Sequence, residues 1–345
     1  MKKTLQVSMV SDLVGSTPAV RLPSLFEEGS SPFVKLEKFN PGGSIKDRVA
    51  LYVIQELERQ GLIQPGKTIV ESSSGNLGIG LALHGAQRGY RVVIVVDQNT
   101  SKQNISIMHA YGAEIVIETE LDDCGLYHKT KLARAKAIAT QTNGYWVNQT
   151  ANELNSQAHE QTTGAEISSQ FGRFLDVCVL ATSSGGQLAG VARALKAASP
   201  ETKILAVDAK GSSIFSSKPH TYITPGLGLS WYPKILEPSL VDWVCLVDDR
   251  TAFEVARFLA SKGLMLGPSS GAVAAACYRA QKAFGAKTNV LGLAPDGGER
   301  YLDTLFDDRW MAKQGFSPKP SSYDVKRRIL ELQLHEQAKE ALSPR

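Results

Sequence analysis

One lysine in this chain stands in a setting that suits covalent chemistry. Lys46 lies in residues 40–48 (NPGGSIKDR), just after a run of small residues and at the start of a predicted amphipathic helix. Positive charge is disfavoured at a helix N-terminus, so the neutral amine is favoured there. The neutral amine is the form that makes Schiff bases with aldehydes. A lone lysine is usually solvated, so this interpretation depends on the loops that accompany it.

Three loops of small residues each open a predicted helix: residues 72–80 (SSSGNLGIG), 182–190 (TSSGGQLAG) and 266–272 (LGPSSGA). Small residues let backbone N–H groups approach an anion, and a helix N-terminus adds favourable partial charge. Each loop alone is a weak signal, because a Gly-Ser turn before a helix usually only connects two elements. The glycines do not fit the dinucleotide-binding pattern GxGxxG, and the Gly66-Lys67-Thr68 sequence lacks the first glycine of a Walker loop. A dehydrogenase and a kinase or ATPase are therefore disfavoured.

Apolar strand-like runs alternate with amphipathic helical segments, which predicts an α/β fold. Continuous Val, Ile and Leu runs suit parallel strands that are covered on both faces. The predicted strands are residues 91–97, 113–118, 176–182, 203–208, 243–247 and 290–295. Helices are predicted before Gly61, over residues 77–88 and over residues 251–262. These units are too many for one nucleotide-binding fold, and they indicate two α/β layers with a cleft between them.

Composition excludes several classes of protein. The chain has 345 residues and a formal net charge of +4, without a dense Lys/Arg block, so nucleic acid is not an expected partner. No apolar run approaches the ~20 residues that span a bilayer, and the start lacks the apolar core of a signal peptide. Cysteines and histidines lack ligand spacing. We therefore expect a cytoplasmic protein with no metal and no membrane association, whose reduced thiols are buried: Cys124, Cys178, Cys245 and Cys277.

Four motifs together resemble a known family. NPGGSIKDR, SSSGNLG, SSGGQLAG and GPSSGA, in this order and at these separations, are similar to fold-type II pyridoxal-phosphate (PLP) enzymes of the cysteine synthase/cystathionine β-synthase group. The similarity runs from about Val14 to Trp310. It implies two three-layer α/β domains with mostly parallel twisted sheets, as in the tryptophan synthase β-subunit, and a homodimer. The implied large PLP-binding domain is 13–46 with 149–312, and the smaller mobile domain is 47–148. Residues 313–345 would be a linker and a charged helical tail over 325–341, a solvated or dimer-packing appendage.

The resemblance also implies how PLP is held. Lys46 would bind the cofactor covalently and serve as the acid/base once the substrate has displaced it. Asn76 would hydrogen-bond the ring hydroxyl of the cofactor, and Ser269 would meet its pyridine nitrogen. The family's phosphate loop GTGGT is matched by Ser183, Ser184, Gly185, Gly186 and Gln187.

A substrate site follows from the same resemblance. The α-carboxylate of an amino-acid substrate would bind to Ser73, Ser74, Gly75, Asn76, Leu77 and Gln149. Lys131 would meet a phosphate on the donor as a point charge. Gly228 lies in residues 225–230 (PGLGLS), which would form a glycine hinge that closes over the substrate.

A serine at the pyridine nitrogen predicts the type of reaction. A hydroxyl leaves that nitrogen essentially neutral, whereas an aspartate would hold it protonated. A neutral ring is a weaker electron sink, so charge made by α-proton removal leaves through the β-carbon and expels a leaving group. We therefore expect β-elimination and β-replacement through an aminoacrylate, with Lys46 removing the α-proton.

Three segments indicate which β-replacement enzyme the chain resembles. NPGGS, ANELN (residues 151–155) and DAKGS (residues 208–212) are more similar to N-(2-amino-2-carboxyethyl)-L-glutamate synthase. That enzyme joins O-phospho-L-serine and L-glutamate on the way to 2,3-diaminopropionate in siderophore and antibiotic pathways. Thr150 stands where we expect an aromatic residue, and Lys131 where we expect an arginine. The alternative is a cysteine synthase that uses sulfide with O-acetylserine or O-phosphoserine.

Two other classes of function stay open at this stage. A non-catalytic scaffold or regulator could keep the fold, since similar folds need not share a function. Lys46, Asn76 and Ser269 argue against that class, because a scaffold has no need of them. A nicotinamide-binding oxidoreductase rests only on the α/β class and lacks its fingerprint.

Overall fold

A computed structural model gives the structure of residues 6–26, 31–122 and 125–337. The chain forms two compact units. The first comprises the part before Thr17 together with Asn40–Ala158, and the second comprises Thr17–Phe39 and the part that follows Ala158. The chain therefore leaves the second unit after Phe39 and returns to it at His159.

Strands and helices alternate along most of the described chain. The strands are β1 (Ala19–Arg21), β2 (Phe33–Leu36), β3 (Thr68–Ser72), β4 (Arg91–Asp97), β5 (Glu114–Glu118), β6 (Tyr145–Trp146), β7 (Val177–Ala181), β8 (Lys203–Ala209), β9 (Trp243–Val247), β10 (Val290–Ala294) and β11 (Leu334–Glu336). The helices are α1 (Lys46–Arg59), α2 (Asn76–Gln87), α3 (Lys102–Ala110), α4 (His128–Gln141), α5 (Leu154–Ala158), α6 (Ala165–Phe171), α7 (Gly186–Ala198), α8 (Asp249–Ser261), α9 (Pro268–Phe284), α10 (Asp308–Lys313) and α11 (Ser322–Glu331). A π-helical turn, His159–Gly164, precedes α6.

A four-stranded parallel sheet organises the first unit, in the order β5-β4-β3-β6. The valine-rich interior of β4 is fully buried, and α1 and α2 contribute apolar side chains to the same core. The register places Ser72 beside Val95, so β3 and β4 end close together. The loops that follow these two strands therefore lie at one edge of the sheet, where ligands of α/β proteins commonly bind.

A seven-stranded sheet organises the second unit, in the order β1-β2-β10-β7-β8-β9-β11. The five inner strands are parallel, and β1 and β11 close the two edges with antiparallel pairing. Strands β7 and β10 are completely buried, as are most residues of α9. The loop after β7 and the N-terminus of α9 are the parts of this unit that carry predicted cofactor residues.

The expected α/β class with mostly parallel sheets is confirmed. All six predicted strands are present, and their observed bounds agree with the prediction to within one residue at either end. The three predicted helices correspond to α1, α2 and α8. Continuous apolar runs are reliable signals because these strands are buried on both faces.

The observed division of the chain differs from the expected domain limits at its ends. Residues 40–46 and 149–158 belong to the first unit, whereas we expected them in the large domain. The Asp47 carboxylate accepts the N–H of Gly42 at 2.9 Å, which ties the segment before α1 to that helix. Helix α5 packs against α1. Both segments are therefore held by α1.

The expected C-terminal helix is present, but it ends earlier than predicted and is not an appendage. Helix α11 ends at Glu331, and β11 then adds to the edge of the sheet beside β9. Val325 and Ile329 are fully buried, because α11 packs its apolar face against α8 and α9. The part of the predicted helix from residue 338 onward lies outside the described residues.

Three of the four cysteines are described, and Cys178, Cys245 and Cys277 are buried free thiols, as predicted. Burial raises the pKa of Cys245 to about 12, so its thiolate is disfavoured. Cys124 lies outside the described residues. In residues 6–26, 31–122 and 125–337, no helix has the length and apolar character needed to cross a membrane. The same ranges contain no cluster of His, Cys, Asp and Glu side chains that could hold a metal ion.

Candidate active site

Lys46 is the first residue of α1, and the preceding turn is built to present it. Gly43 adopts a φ of +80°, a conformation that favours glycine, and the backbone N–H of Lys46 donates to Ser44 Oγ at 3.2 Å. The carbonyl oxygen of Lys46 faces Gly80 of α2, where an added Cβ would lie 3.1 Å from it. Gly80 therefore lets α2 approach the beginning of α1 closely.

The Lys46 side chain has the properties of a reactive amine. Burial lowers the pKa of Lys46 to about 8, because the charged form loses hydration. Across the described part of the chain, its Nζ has neither a hydrogen bond nor an ion pair. A substantial fraction of this amine is therefore neutral near physiological pH and is not engaged by another side chain.

The loop after β3 presents backbone N–H groups at the beginning of α2. Gly75 is the N-cap residue of this helix, and Asn76 is its first residue. Ser73 is anchored on both sides, because its backbone N–H donates to the Val95 carbonyl at 3.1 Å and its Oγ accepts the N–H of Gly78 at 3.1 Å. The start of a helix favours a bound carboxylate. Residues 73–77 thus form a fixed loop at a helix N-terminus that suits an anion in the first unit.

Lys131 lies beside this loop, but its charge is already matched. Its Nζ is 2.5 Å from Asp97 Oδ2 and 3.2 Å from Ser74 Oγ. Burial by itself raises the pKa of Asp97, but the hydrogen bond and charge of Lys131 outweigh it and hold that pKa below its usual value. Thr100 completes the group through a 2.8 Å hydrogen bond to Ser74. Lys131 therefore fixes Ser74 while it remains paired with Asp97.

The backbone of Gln149 is held from two directions. Its N–H donates to Glu71 Oε2 at 3.2 Å, and its carbonyl accepts a hydrogen bond from Asn155 Nδ2 at 2.8 Å. Asn148, the preceding residue, has a φ of +52°, which few residues other than glycine adopt. The structure thus places Gln149 next to the end of β3, close in the fold to residues 73–77.

The second unit carries the predicted phosphate loop between β7 and α7. Gly185 has a φ of +90°, and an added Cβ would lie 3.2 Å from the backbone nitrogen of Leu236, so this position requires glycine. Gln187 Nε2 and Thr182 Oγ1 are buried atoms without a hydrogen-bond partner among the described residues. Unpaired buried polar atoms are costly, and an anion at this helix N-terminus would satisfy them.

Ser269 and the predicted glycine hinge meet in the second unit. Gly226 has a φ of +81°, and an added Cβ would lie 3.3 Å from Ser269 Oγ. The N–H of Gly228 donates to the Thr182 carbonyl at 2.8 Å, and Ser183 Oγ donates to the Gly228 carbonyl at 3.3 Å. Residues 225–230 therefore connect the phosphate loop to the buried Ser269 at the beginning of α9.

Each unit, taken by itself, carries groups that suit PLP. The first offers an unengaged amine and a loop for a carboxylate, and the second offers spare donors at a helix N-terminus and a buried hydroxyl. A family profile described as pyridoxal-phosphate dependent enzyme matches residues 10–296. The chain belongs to this family. It is therefore a PLP-dependent enzyme, and the expected cofactor is confirmed.

Solved structures of PLP enzymes resemble this chain closely. An O-ureido-L-serine synthase is 36% identical with a TM-score of 0.81, and the match covers 89% of this chain and 100% of that one. A hydrogen sulfide-producing enzyme from Fusobacterium nucleatum is 34% identical with a TM-score of 0.81, over 86% of this chain and 100% of that one. An O-acetylserine dependent cystathionine β-synthase from Helicobacter pylori is 29% identical with a TM-score of 0.80, over 87% and 99% of the two chains. The chain is thus a cysteine synthase-type enzyme of β-replacement.

Sequence reasoning missed several side chains that hold this PLP enzyme's loops. Glu71, Asp97 and Asn155 each bind a backbone or side chain that we had predicted to contact substrate. Ser212 holds the hinge, since its Oγ accepts the N–H of Leu229 at 3.3 Å. One indication of Glu71 was present in the sequence, because a carboxylate directly precedes SSSGN. Its partner Gln149, however, lies far away in the sequence.

Proposed function

We propose that this enzyme joins O-phospho-L-serine and L-glutamate to give N-(2-amino-2-carboxyethyl)-L-glutamate, a precursor of 2,3-diaminopropionate for siderophore biosynthesis. One observation carries the proposal. The two segments that resemble the synthase of this compound, ANELN and DAKGS, supply Asn155 and Ser212, and these side chains hold Gln149 and the hinge 225–230. The residues that set this chain apart from ordinary cysteine synthases thus act on the backbone around the substrate.

We assign the residue roles as follows. When bound, PLP withdraws electrons from the substrate, which allows the α-proton and the β-substituent of a serine derivative to leave. Lys46 holds the cofactor covalently and later carries the α-proton on Nζ, a role that suits an amine with a pKa of about 8. The Asn76 side chain binds the ring hydroxyl. Ser269 faces the ring nitrogen and, being a hydroxyl, leaves that nitrogen uncharged.

Two anion sites orient the reactants. Residues 183–187 bind the cofactor phosphate through backbone N–H groups and the Gln187 amide. Residues 73–77 and the Gln149 side chain bind the α-carboxylate of the donor, which fixes its Cα–H towards the base. Gly228 allows residues 225–230 to adopt the turn that covers the bound substrate and limits the access of water.

The donor's leaving group depends on Lys131. A phosphate dianion binds better where a cation is near, and Lys131 reaches Ser74 in the carboxylate loop. Asp97 neutralises part of that cation. This pairing is the observation that favours the second candidate, a cysteine synthase that takes O-acetylserine and sulfide, because acetate needs no cation as a leaving group.

The deciding experiment supplies the two donors separately to the PLP-loaded enzyme, measures the release of phosphate or acetate, and then adds glutamate or sulfide. We expect phosphate release from O-phospho-L-serine, and a glutamate adduct identified by mass spectrometry. If only O-acetylserine reacts and only sulfide gives a product, the second candidate is correct. A homodimer and a cytoplasmic location are further proposals that rest on the resemblance, and sedimentation equilibrium tests the dimer.

A further inference from the structure

Glu71 is a buried carboxylate that the assigned chemistry does not use. It is the fourth residue of β3, it has no exposed surface, and within the described ranges it forms no ion pair. Its oxygens instead accept backbone N–H groups: Ser72 at 2.7 Å, Gln149 at 3.2 Å, and Asn148. A carboxylate buried without a cation is costly, so its retention at this place calls for a function.

The hydrogen bonds of Glu71 to Ser72 and Gln149 lead to two different parts of the assigned site. Oε1 fixes Ser72, which directly precedes the loop 73–77, and Oε2 fixes Gln149. Both segments belong to the first unit, but they are separated by three helices and three strands in the sequence. One carboxylate thus sets the distance between the two segments that we assign to the substrate carboxylate.

Both the N–H and the carbonyl of Gln149 are already hydrogen-bonded within the protein. Glu71 takes its N–H, and Asn155 Nδ2 binds its carbonyl at 2.8 Å. Asn148 holds a φ of +52° at the same turn, and Asn152 Nδ2 donates to the Val147 carbonyl at 2.8 Å. With its backbone held on both sides, Gln149 has only its side-chain amide left to direct towards a ligand.

We propose that Glu71 is a positioning residue that holds the loop 73–77 and Gln149 at the spacing that an amino-acid α-carboxylate requires. This inference rests on the proposed function, because it takes from it the assignment of both segments to the substrate carboxylate. It concerns any donor with an α-carboxylate, and it does not depend on whether the leaving group is phosphate or acetate.

The chemistry of the side chain explains why glutamate is needed here. Burial raises the pKa of Glu71 to about 8, against the opposing effect of the N–H groups of Ser72, Gln149 and Asn148, so the carboxyl group is largely protonated near neutral pH. In either form each of its two oxygens has a lone pair that can accept an N–H. A glutamine of the same size has one carbonyl oxygen, and its NH₂ group would face an N–H. Either Ser72 or Gln149 would therefore lose its acceptor in such a variant.

The test compares Glu71→Gln, Asn155→Ala and the wild type as PLP-loaded enzymes. Glu254→Gln is the control for replacing a buried glutamate outside the assigned site: Glu254 accepts the N–H of Ser317 at 2.9 Å in the second unit, and unlike Glu71 it also pairs with Arg328. KM and kcat are measured for whichever donor the wild type accepts. Hydrogen exchange of the Gln149 and Ser72 amides is measured on the cofactor-free proteins.

Loss of one buried acceptor corresponds to about a tenfold rise in KM for the donor. We expect this rise for Glu71→Gln and for Asn155→Ala, with kcat within about threefold of the wild type, an unchanged visible PLP band and faster exchange of the Gln149 amide. Glu254→Gln should leave KM unchanged. If Glu71→Gln does not fold, Asn155→Ala decides by the same criteria.

The inference is overturned if KM in the folded, PLP-loaded variants stays within twofold of the wild type, or if kcat falls while KM is constant. Failure of the proposed function is a separate result. In that case the wild type accepts neither a phosphate nor an acetate donor, and the exchange of the Gln149 amide still reports whether Glu71 holds this segment.

Discussion

At the scale of single residues, the role that we propose for Lys46 depends on removing charge from its amine. Lys46 is the first residue of a helix, and burial lowers its pKa to about 8 without help from a neighbouring cation. The lowered pKa has a simple consequence for titration. The neutral amine, which attacks the aldehyde, becomes the main form above about pH 8 instead of above the usual 10.5.

This shift predicts the pH dependence of cofactor uptake. The rate at which cofactor-free protein binds PLP covalently should rise with pH, reach half of its maximum near pH 8 and level off between about pH 9 and pH 10, because half of Lys46 is neutral at its pKa. Stopped-flow absorbance measures this rate between roughly pH 6 and pH 10. Lys46→Ala, which has no amine, should show no covalent phase. A rate that still climbs steeply at the upper limit would contradict the assignment.

The Lys131–Asp97 pair predicts a donor-dependent effect. Lys131→Gln should raise KM for O-phospho-L-serine by about tenfold, because a half-buried cation beside the leaving phosphate is lost. KM for O-acetylserine should change by no more than about threefold, since acetate is expelled without a cation.

Asp97→Asn provides the matched variant, because it breaks the same ion pair and leaves the cation in place. Steady-state kinetics of both variants with both donors separates a direct effect of the Lys131 cation on the phosphate from an effect through Ser74. Equal effects of Lys131→Gln on the two donors would mean that Lys131 only supports Ser74.

At the scale of elements, glycines with positive φ determine the shape of the hinge. Gly228 has a φ of +69°, and an added Cβ would lie 2.6 Å from Tyr222 Oη and 2.8 Å from Ser212 Cβ. Gly61, at the end of α1, has a similar φ of +70° but nothing within 4 Å. The two positions therefore separate the cost of the backbone conformation from the cost of steric crowding.

Gly61→Ala should destabilise the protein by about 1 kcal/mol, which is the cost of a left-handed conformation for alanine. Gly228→Ala should lose more stability and should also lower kcat/KM by at least about tenfold, because residues 225–230 must move away from Ser212 and Tyr222. Thermal unfolding and steady-state kinetics on the PLP-loaded proteins check both statements. Equal losses of stability without an effect on kcat/KM would show that the crowding is relieved elsewhere.

The elements also show where prediction from sequence succeeds. Strand β4 reads RVVIVVD, and its buried valines identify it without any knowledge of its neighbours. Strand β3 reads TIVES and was missed, because Glu71 and Ser72 break the apolar run although both are buried. Loops of small residues also predict roles for Lys46, residues 73–77 and residues 183–187, and these roles stay predictions. The contacts of Glu71 with Gln149, and of Lys131 with Asp97, arise only from strand pairing and could not be read from local patterns.

At the scale of the whole molecule, the C-terminal part of the described chain completes the second unit. Arg328 Nε donates to Glu254 Oε2 at 2.5 Å, and Arg279 Nε donates to the Leu332 carbonyl at 2.7 Å. Strand β11 pairs with the outer edge of β9, which would otherwise be open to pairing with another chain. Helix α11 and β11 are thus part of the fold of this unit.

Removal of residues 321–345 should therefore lower the thermal unfolding midpoint by roughly 5 °C or more and promote aggregation, because it exposes both an apolar surface and a strand edge. Differential scanning calorimetry and light scattering measure the two effects. A shorter truncation, of residues 338–345 alone, is the control because it leaves α11 and β11 in place. Equal midpoints for the two truncations would mean that β11 contributes nothing to stability.

The route of the chain has a consequence for biosynthesis. The four-strand sheet is encoded within one continuous stretch, from β3 to β6, and it can assemble while translation is still under way. The seven-strand sheet joins Phe33–Leu36 to Val290–Ala294. The edge of β2 that pairs with β10 must therefore wait without this partner until almost the entire polypeptide has left the ribosome. During that interval the open strand edge exposes the nascent chain to aggregation.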